Sequence, residues 1–140
     1  MDNKIKALAD FLGKSVENLR DNGDNCYQVV DGYEYLVLTD GEADEKAQEY
    51  IEDSLWAFNA EFILNICELD SGSNVIESLR KMQETSCEGC NDFIRALIEG
   101  TCGIDAFVEE AILADGRGHF LSTYDGEEGE QDGYYIYCIG

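Results

Sequence analysis

The sequence contains no proline and is poor in basic residues, with 9 lysines and arginines against 31 aspartates and glutamates. Its formal net charge is −22 at pH 7, whereas about 2–8 net charges are enough to keep a small domain soluble. Nucleic acids and anionic membranes attract proteins through lysine and arginine. The shortage of these residues argues against direct binding to either, and it indicates a positively charged partner or a very salty setting.

Long apolar runs are also missing, since none approaches the roughly 18 residues that span a bilayer. The first 20 residues are amphipathic and lack the apolar centre of a secretory signal. We therefore expect a cytoplasmic protein, in which the six cysteines are reduced thiols. An even number would also allow three disulfides, but nothing else in the sequence suggests secretion.

A length of 140 residues suits one domain, and 44% hydrophobic residues are enough for a core. We predict a single acidic domain over residues 1–140. Its fold class follows from the periodicity of the apolar residues. The segment 5–19 has helical spacing interrupted at Gly13, with Ser15 capping a second short helix, and Asp31-Gly32 between two Tyr- and Val-rich runs predicts a hairpin over 26–38.

The second half of the pattern is mostly helical. Thr39 and Glu42 have the spacing of a capping box, which predicts that a helix begins there and continues toward Phe58. We predict a second apolar piece over 62–69, further helices over 75–82, 93–98 and 104–114, and strands over 119–124 and 134–139 joined by the acidic loop 125–133. Together these elements predict an α+β fold with four or five helices and two β-hairpins, which could form one antiparallel sheet.

Acidic residues recur along the helix that begins near Glu42. The spacing of three, four and three places one carboxylate on each turn, opposite the apolar residues. A row of this kind imitates the phosphates of a nucleic-acid strand, and a solvated outer face explains one such helix equally well. The predicted row consists of Glu42, Glu45, Glu49 and Glu52, with Asp53 beside it.

A second acidic segment, DGEEGEQDG, joins the last two predicted strands and contains no base. It lacks the alternating ligands of an EF-hand calcium loop. It is either a soluble hairpin tip or a second acidic contact with a partner. The candidate contact residues are Asp125, Glu127, Glu128, Glu130 and Asp132.

Metal binding and catalysis find little support in the sequence. Cys87 and Cys90 form a CxxC that Cys102 and His119 could complete as a zinc site, but the spacing fits no standard zinc finger. The single histidine lies near Ser122 and Asp125, and sequence proximity is not the geometry of a catalytic triad. No glycine-rich nucleotide loop is present. We predict free thiols, no metal, no cofactor and no enzymatic activity.

Four segments resemble parts of small acidic proteins of tailed phages and prophages. They are EYLVLTDGEADE (34–45), YIEDSLWAFNAEFI (50–63), DGRGHFLSTYDGEE (115–128) and YYIYCIG (134–140), which together make up about a third of the chain. The resemblance implies an origin in a mobile element. Small acidic phage proteins include anti-restriction and anti-CRISPR inhibitors, several of which mimic nucleic acids. No catalytic residue is implied.

These observations favour an inhibitor that binds the basic nucleic-acid channel of a host defence nuclease in the bacterial cytoplasm. A CRISPR effector is the preferred target, because its channels are basic, and a restriction nuclease is the next. The alternatives are a non-inhibitory phage accessory protein, adaptation of the surface to high salt and, in last place, an enzyme that modifies a host protein.

The charge density predicts a fold whose stability depends on salt. Repulsion among the acids destabilises the compact state, and NaCl shortens the Debye length from about 30 Å at roughly 10 mM to under about 8 Å at roughly 300 mM. We expect the thermal midpoint to rise over this range in scanning calorimetry. A midpoint that does not change would mean that the acids are mutually distant or already compensated.

Overall fold

The computed structural model describes residues 2–69 and 72–140, which divide into two compact units. The sheet unit comprises the residues up to Ala47 together with Asp115–Gly140, and the helical unit comprises Gln48–Ala114. Helices and an antiparallel sheet are both present, which confirms the predicted α+β class. The assignment of residues 1–140 to one domain stays a prediction.

The sheet unit is built on a five-stranded antiparallel sheet with the strand order β1-β2-β3-β5-β4. Strand β3 of the first predicted hairpin pairs with β5, so the strands do form the single antiparallel sheet that the sequence allowed. The strands are β1 (Leu19–Gly23), β2 (Cys26–Val29), β3 (Glu34–Leu38), β4 (Gly129–Gln131) and β5 (Tyr134–Cys138).

The turn at Asp31-Gly32 confirms the predicted hairpin between β2 and β3, and Asp31 has the expected positive φ of 60°. Strand β1 was not predicted, because Leu19 continues the helical spacing of the residues before it. It pairs with β2 through the turn Asp24-Asn25, in which both residues have a positive φ. A two-residue turn with a positive φ at both positions has a twist that matches the right-handed twist of the strands it joins.

The prediction of a strand over 119–124 is wrong. Residues Arg117–Leu121 form the short helix α7, and β5 pairs instead with β4, which lies inside the segment predicted as a loop. The turn of this hairpin is Asp132-Gly133, where both residues have a positive φ. It is the same Asp-Gly pattern that identified the first hairpin, so the longer acidic loop 125–133 is reduced to a connection and a tight turn.

Helix α1 (Asn3–Leu12) packs on one face of the sheet. It begins at Asp2, whose side chain accepts a hydrogen bond from the Lys4 amide, and it ends at Gly13 in the left-handed conformation. Leu8 is buried against Val37 of β3 and other sheet residues. Ser15 caps the next segment as predicted, but that segment is a single 3₁₀ turn, Val16–Asn18, before β1.

Helix α2 (Asp40–Asp53) begins with the predicted capping box, in which both hydrogen bonds are present. The Thr39 amide donates to Glu42 Oε1 at 2.9 Å, and the Glu42 amide donates to Thr39 Oγ1 at 3.2 Å. Its apolar stripe is fully buried at Ala43, Ala47 and Ile51. The helix ends at Asp53 and not near Phe58, and its last turns belong to the helical unit.

The helical unit is held by a core of apolar side chains from short helices. Asn59 begins α3 by accepting a hydrogen bond from the Phe62 amide. The Phe107 ring packs edge-on against Phe58 and Phe62. In the described ranges no helix is long and apolar enough to cross a membrane. The remaining helices are α3 (Ala60–Ile66), α4 (Ser73–Ser86), α5 (Asn91–Glu99) and α6 (Ile104–Asp115).

Two glycines provide a matched test of the fold. A Cβ at Gly118 of α7 would lie 2.5 Å from the carbonyl oxygen of Gly126, which is backbone and cannot rotate away. We expect Gly118→Ala to lower the free energy of unfolding by about 2 kcal/mol or more. Gly41 of α2 has open space around its Cα, so Gly41→Ala should stabilise by about 0.5–1 kcal/mol. Urea unfolding of both variants measures these changes, and equal effects would contradict the placement of α7.

Candidate functional site: the acidic surface

The predicted acidic row lies on one continuous helix, but its members differ in their partners. Glu42, at the first turn of α2, accepts a hydrogen bond from Lys4 Nζ at 2.7 Å as well as the capping bond from Thr39. Lys4, followed by the Thr39 amide, holds the pKa of Glu42 below its usual range. Glu42 therefore has an internal role in joining α1 to α2.

Glu52, near the other end of α2, is also bound internally. Its Oε1 receives Arg95 Nη2 at 2.5 Å, while Arg95 Nε pairs with Glu99 at 3.1 Å. The Glu52 side chain is only 17% exposed. Glu42 and Glu52 thus each bind a base on another element, Lys4 on α1 and Arg95 on α5.

The carboxylates in the middle of the row have no partner among the described residues. Glu45 and Glu49 are exposed, and so is Asp53 at the helix end. Within residues 2–69 and 72–140, none of these three carboxylates makes a hydrogen bond or an ion pair. We call them the free carboxylates of α2. They can bind an external cation without giving up an internal one.

Arg117 of α7 organises the acids of the sheet unit, and we call its ionic contacts the Arg117 cluster. Its Nη1 atom lies 2.8 Å from Asp40 Oδ1 and 3.0 Å from Asp44 Oδ1, both on α2. Its Nε atom lies 2.9 Å from Oε1 of Glu128, just before β4. The Arg117 side chain is 11% exposed. One guanidinium therefore compensates three carboxylates from two parts of the chain.

Neighbouring tyrosines complete this cluster. The guanidinium carbon of Arg117 lies 4.6 Å from the centre of the Tyr135 ring, a cation–π contact. Tyr137 is fully buried and donates its hydroxyl hydrogen bond to Glu128. Burial and this bond raise the pKa of Tyr137. For Arg117, burial works against the charge, but the bonds to Glu128 and Asp40 outweigh it and raise its pKa.

The five candidate acids of the C-terminal hairpin also fall into two groups, those with a partner in the described structure and those without one. Asp125 accepts hydrogen bonds from the Glu127 amide at 3.0 Å and from Ser122 Oγ at 2.8 Å, and these bonds, in that order, lower its pKa. Glu128 belongs to the Arg117 cluster. Asp132 lies in the turn, and its Oδ1 accepts a hydrogen bond from the side-chain Nε2 of Gln131 at 3.4 Å. Glu127 and Glu130 are exposed, and their carboxylates have no partner in the described part of the chain.

Ser122 and His119 do not form a catalytic arrangement. Ser122 is buried, and its single hydroxyl proton is shared between two acceptors, the carbonyl oxygen of Cys138 at 2.7 Å and Asp125 Oδ1 at 2.8 Å. His119 is exposed, with its ring edge-on to Phe120. Ser122 thus fastens the end of α7 to β5.

The six cysteines are free thiols in the structure. Cys87 is exposed and Cys90 is buried in the 3₁₀ turn that contains both, while the sulfurs of Cys67 and Cys102 lie 4.0 Å apart. Burial raises the pKa of Cys67 and Cys90, which keeps both protonated near neutral pH. No group of three or more metal-ligating side chains is assembled among the described residues.

Comparison of the chain with protein-family models, with curated proteins and with solved structures found no match. The resemblance to phage proteins and the function drawn from it therefore stay predictions.

Removal of Arg117 tests the cluster. In Arg117→Met, three carboxylates lose their shared cation, and we expect the free energy of unfolding to fall by about 2 kcal/mol. The value is below the roughly 3–5 kcal/mol for breaking a buried ion pair, because Asp40 and Asp44 are exposed and screened. Molar NaCl should restore part of the loss in urea unfolding.

The control is Arg80→Met, which changes the net charge equally. Arg80 is exposed on α4 and forms no ion pair in the ranges that the structure covers. Equal destabilisation by the two variants would show that overall charge, and not the Arg117 cluster, sets the stability.

Proposed function

We propose that the protein inhibits a host defence nuclease, with a CRISPR effector as the preferred target, by binding its basic nucleic-acid channel in a stoichiometric complex. The observation that carries the proposal is the set of free carboxylates of α2, which are exposed and have no internal partner in the described structure. Acids bound to Lys4, Arg95 or Arg117 are already compensated. An external cation is attracted most strongly by the acids that have no cation of their own.

The spacing of these groups supports mimicry of a nucleic-acid strand. Residues four apart on a helix are separated by about 6 Å along its axis, so Glu45, Glu49 and Asp53 present successive charges on one face. A DNA strand places a phosphate about every 3.4 Å along the duplex axis. Carboxylates and phosphates are bound by the same arginine and lysine side chains. The helix can thus occupy a site that normally holds every second phosphate.

Net charge supports the same proposal through kinetics. A protein with a charge of −22 is steered toward a basic channel by long-range attraction, which raises the association rate and makes it strongly dependent on salt. The same charge disfavours binding to DNA itself. A restriction nuclease has the same kind of basic channel and is the second candidate target. The two candidate targets are distinguished by testing which of the two enzymes the protein displaces from DNA.

The test is a charge reversal of Glu45 and Glu49 to lysine. Glu52 is left in place, since it holds Arg95. The fold should survive, because both side chains are exposed and each new lysine lies one helical turn from a remaining acid, Glu42 or Asp53, which offsets the repulsion between the two lysines. Candidate nucleases are selected by pull-down from host lysate at low and high salt. We expect the reversal to weaken binding to the selected nuclease by about 100-fold, since attraction becomes repulsion.

The matched control reverses Glu109 and Glu110 on α6, two exposed acids outside the row, to give the same net charge. This variant should slow association modestly and keep the wild-type dissociation rate. Wild-type protein should also compete with target DNA for the nuclease. Equal loss in both variants, or inhibition without competition against DNA, would exclude mimicry by α2.

A further inference from the structure

The sheet unit contains a cleft of about 290 Å³ on the face of the sheet that carries α1. Aromatic rings and carboxylates supply most of its lining. Among the described residues, no lysine, arginine or histidine lines it, although Arg117 pairs with the lining Glu128 from outside. We call it the aromatic cleft, and its defining side chains are Phe11, Tyr33, Tyr35, Tyr124, Asp125, Glu127 and Glu128.

Specific contacts build the cleft. Tyr35 of β3 and Cys138 of β5 are cross-strand neighbours in its lining. Phe11, at the end of α1, lies against Gly129, where a Cβ would come within 2.5 Å of Phe11 Cζ. The glycine therefore allows the Phe11 ring to approach the edge strand. Tyr33 and Tyr124 pair with ring centres 4.7 Å apart and hydroxyl oxygens 3.1 Å apart.

Three of the four rings are exposed although the cleft is lined by them. Phe11 is 42%, Tyr33 is 47% and Tyr124 is 56% exposed. Large aromatic side chains normally contribute to stability by burial. A cluster of exposed rings around one concavity is typical of a binding site.

The charges around the rings select the kind of ligand. The faces of aromatic rings carry negative potential and attract cations. The hydrogen bonds that Asp125 accepts lower its pKa, so its carboxylate is ionised at neutral pH beside the rings. Glu127 adds an exposed carboxylate. Rings and carboxylates therefore act in the same direction, and anionic ligands are repelled.

We propose that the aromatic cleft binds the guanidinium group of an arginine side chain from a partner protein. The volume of about 290 Å³ is just below the range of ligand pockets, roughly 300–1,000 Å³, which suits a single side chain better than a cofactor. A guanidinium is planar, stacks on tyrosine and pairs with carboxylates. The inference deepens the proposed function, because the partner in that proposal presents arginines.

The test uses small probes, so that it does not depend on any nuclease. N-acetyl-arginine methylamide is titrated into the protein at constant ionic strength, with chemical shifts of the tyrosine and phenylalanine rings as the readout. We expect saturable shifts of Tyr33 and Tyr124 with a dissociation constant in roughly the millimolar range. The citrulline analogue has the same shape without the charge and should bind at least about 10-fold more weakly.

Two variants locate the site. Tyr124→Leu keeps apolar bulk and removes the ring, and Glu127→Gln removes one charge; each should weaken arginine binding several-fold. Tyr50→Ala, at another exposed tyrosine in the helical unit, is the control and should leave it unchanged. Circular dichroism and thermal midpoints confirm that each variant is folded. Equal weakening by all three variants would overturn the proposed site.

The other outcomes also decide. No saturable binding, or equal binding of arginine and citrulline analogues, overturns the proposal. Tighter binding of N-acetyl-lysine methylamide would assign the cleft to an ammonium group and overturn the guanidinium. Arginine binding in a protein that inhibits no nuclease would keep the cleft and refute only the proposed function. If the variant with Glu45→Lys and Glu49→Lys still inhibits the nuclease and Tyr124→Leu does not, the interface is the cleft and not α2.

Discussion

The Arg117 cluster is the interaction on which the sheet unit depends. Repulsion among 31 acids opposes any compact state, and only 9 lysines and arginines are available to offset it. Arg117 meets this constraint by contacting the start of α2 and the residue before β4 at once. Its position on α7 is set in turn by the close approach of Gly118 to the backbone near Gly126. The short helix α7, which was not predicted from the sequence, thus positions the cation that joins these elements.

Local patterns were predicted well, because their causes are local. The capping box of Thr39 and Glu42 and the turn at Asp31 involve residues within a few positions of one another. Where two local patterns compete, the prediction was wrong. Leu19 fits a helical spacing but pairs with Val29, and the segment 119–124 was predicted as a strand but begins within α7. At Leu19 the pairing with the next strand outweighs the helical spacing, and beside β5 the nearby strand β4 takes the place that the sequence assigned to 119–124.

The candidate site was predicted less completely than the fold. Spacing placed Glu42, Glu45, Glu49 and Glu52 on one face, and it could not separate free from compensated acids. The bases that make the difference are distant in sequence: Lys4 lies 38 residues from Glu42, and Arg95 lies 43 residues from Glu52. Tyr33 and Tyr124, which meet in the aromatic cleft, are 91 residues apart. Only the folded chain brings such pairs together.

The two proposed contacts would respond differently to salt, and this difference makes them complementary. The free carboxylates of α2 are exposed, so their attraction to a basic channel extends several ångströms into solvent and weakens as the Debye length shortens. The aromatic cleft acts at contact, where ring faces and a neighbouring carboxylate replace water around a single guanidinium and are screened less. The row would therefore govern how fast a basic partner is captured, and the cleft how slowly it leaves. An acidic protein that must hold its target at physiological ionic strength needs both, because long-range charge alone gives encounter without residence.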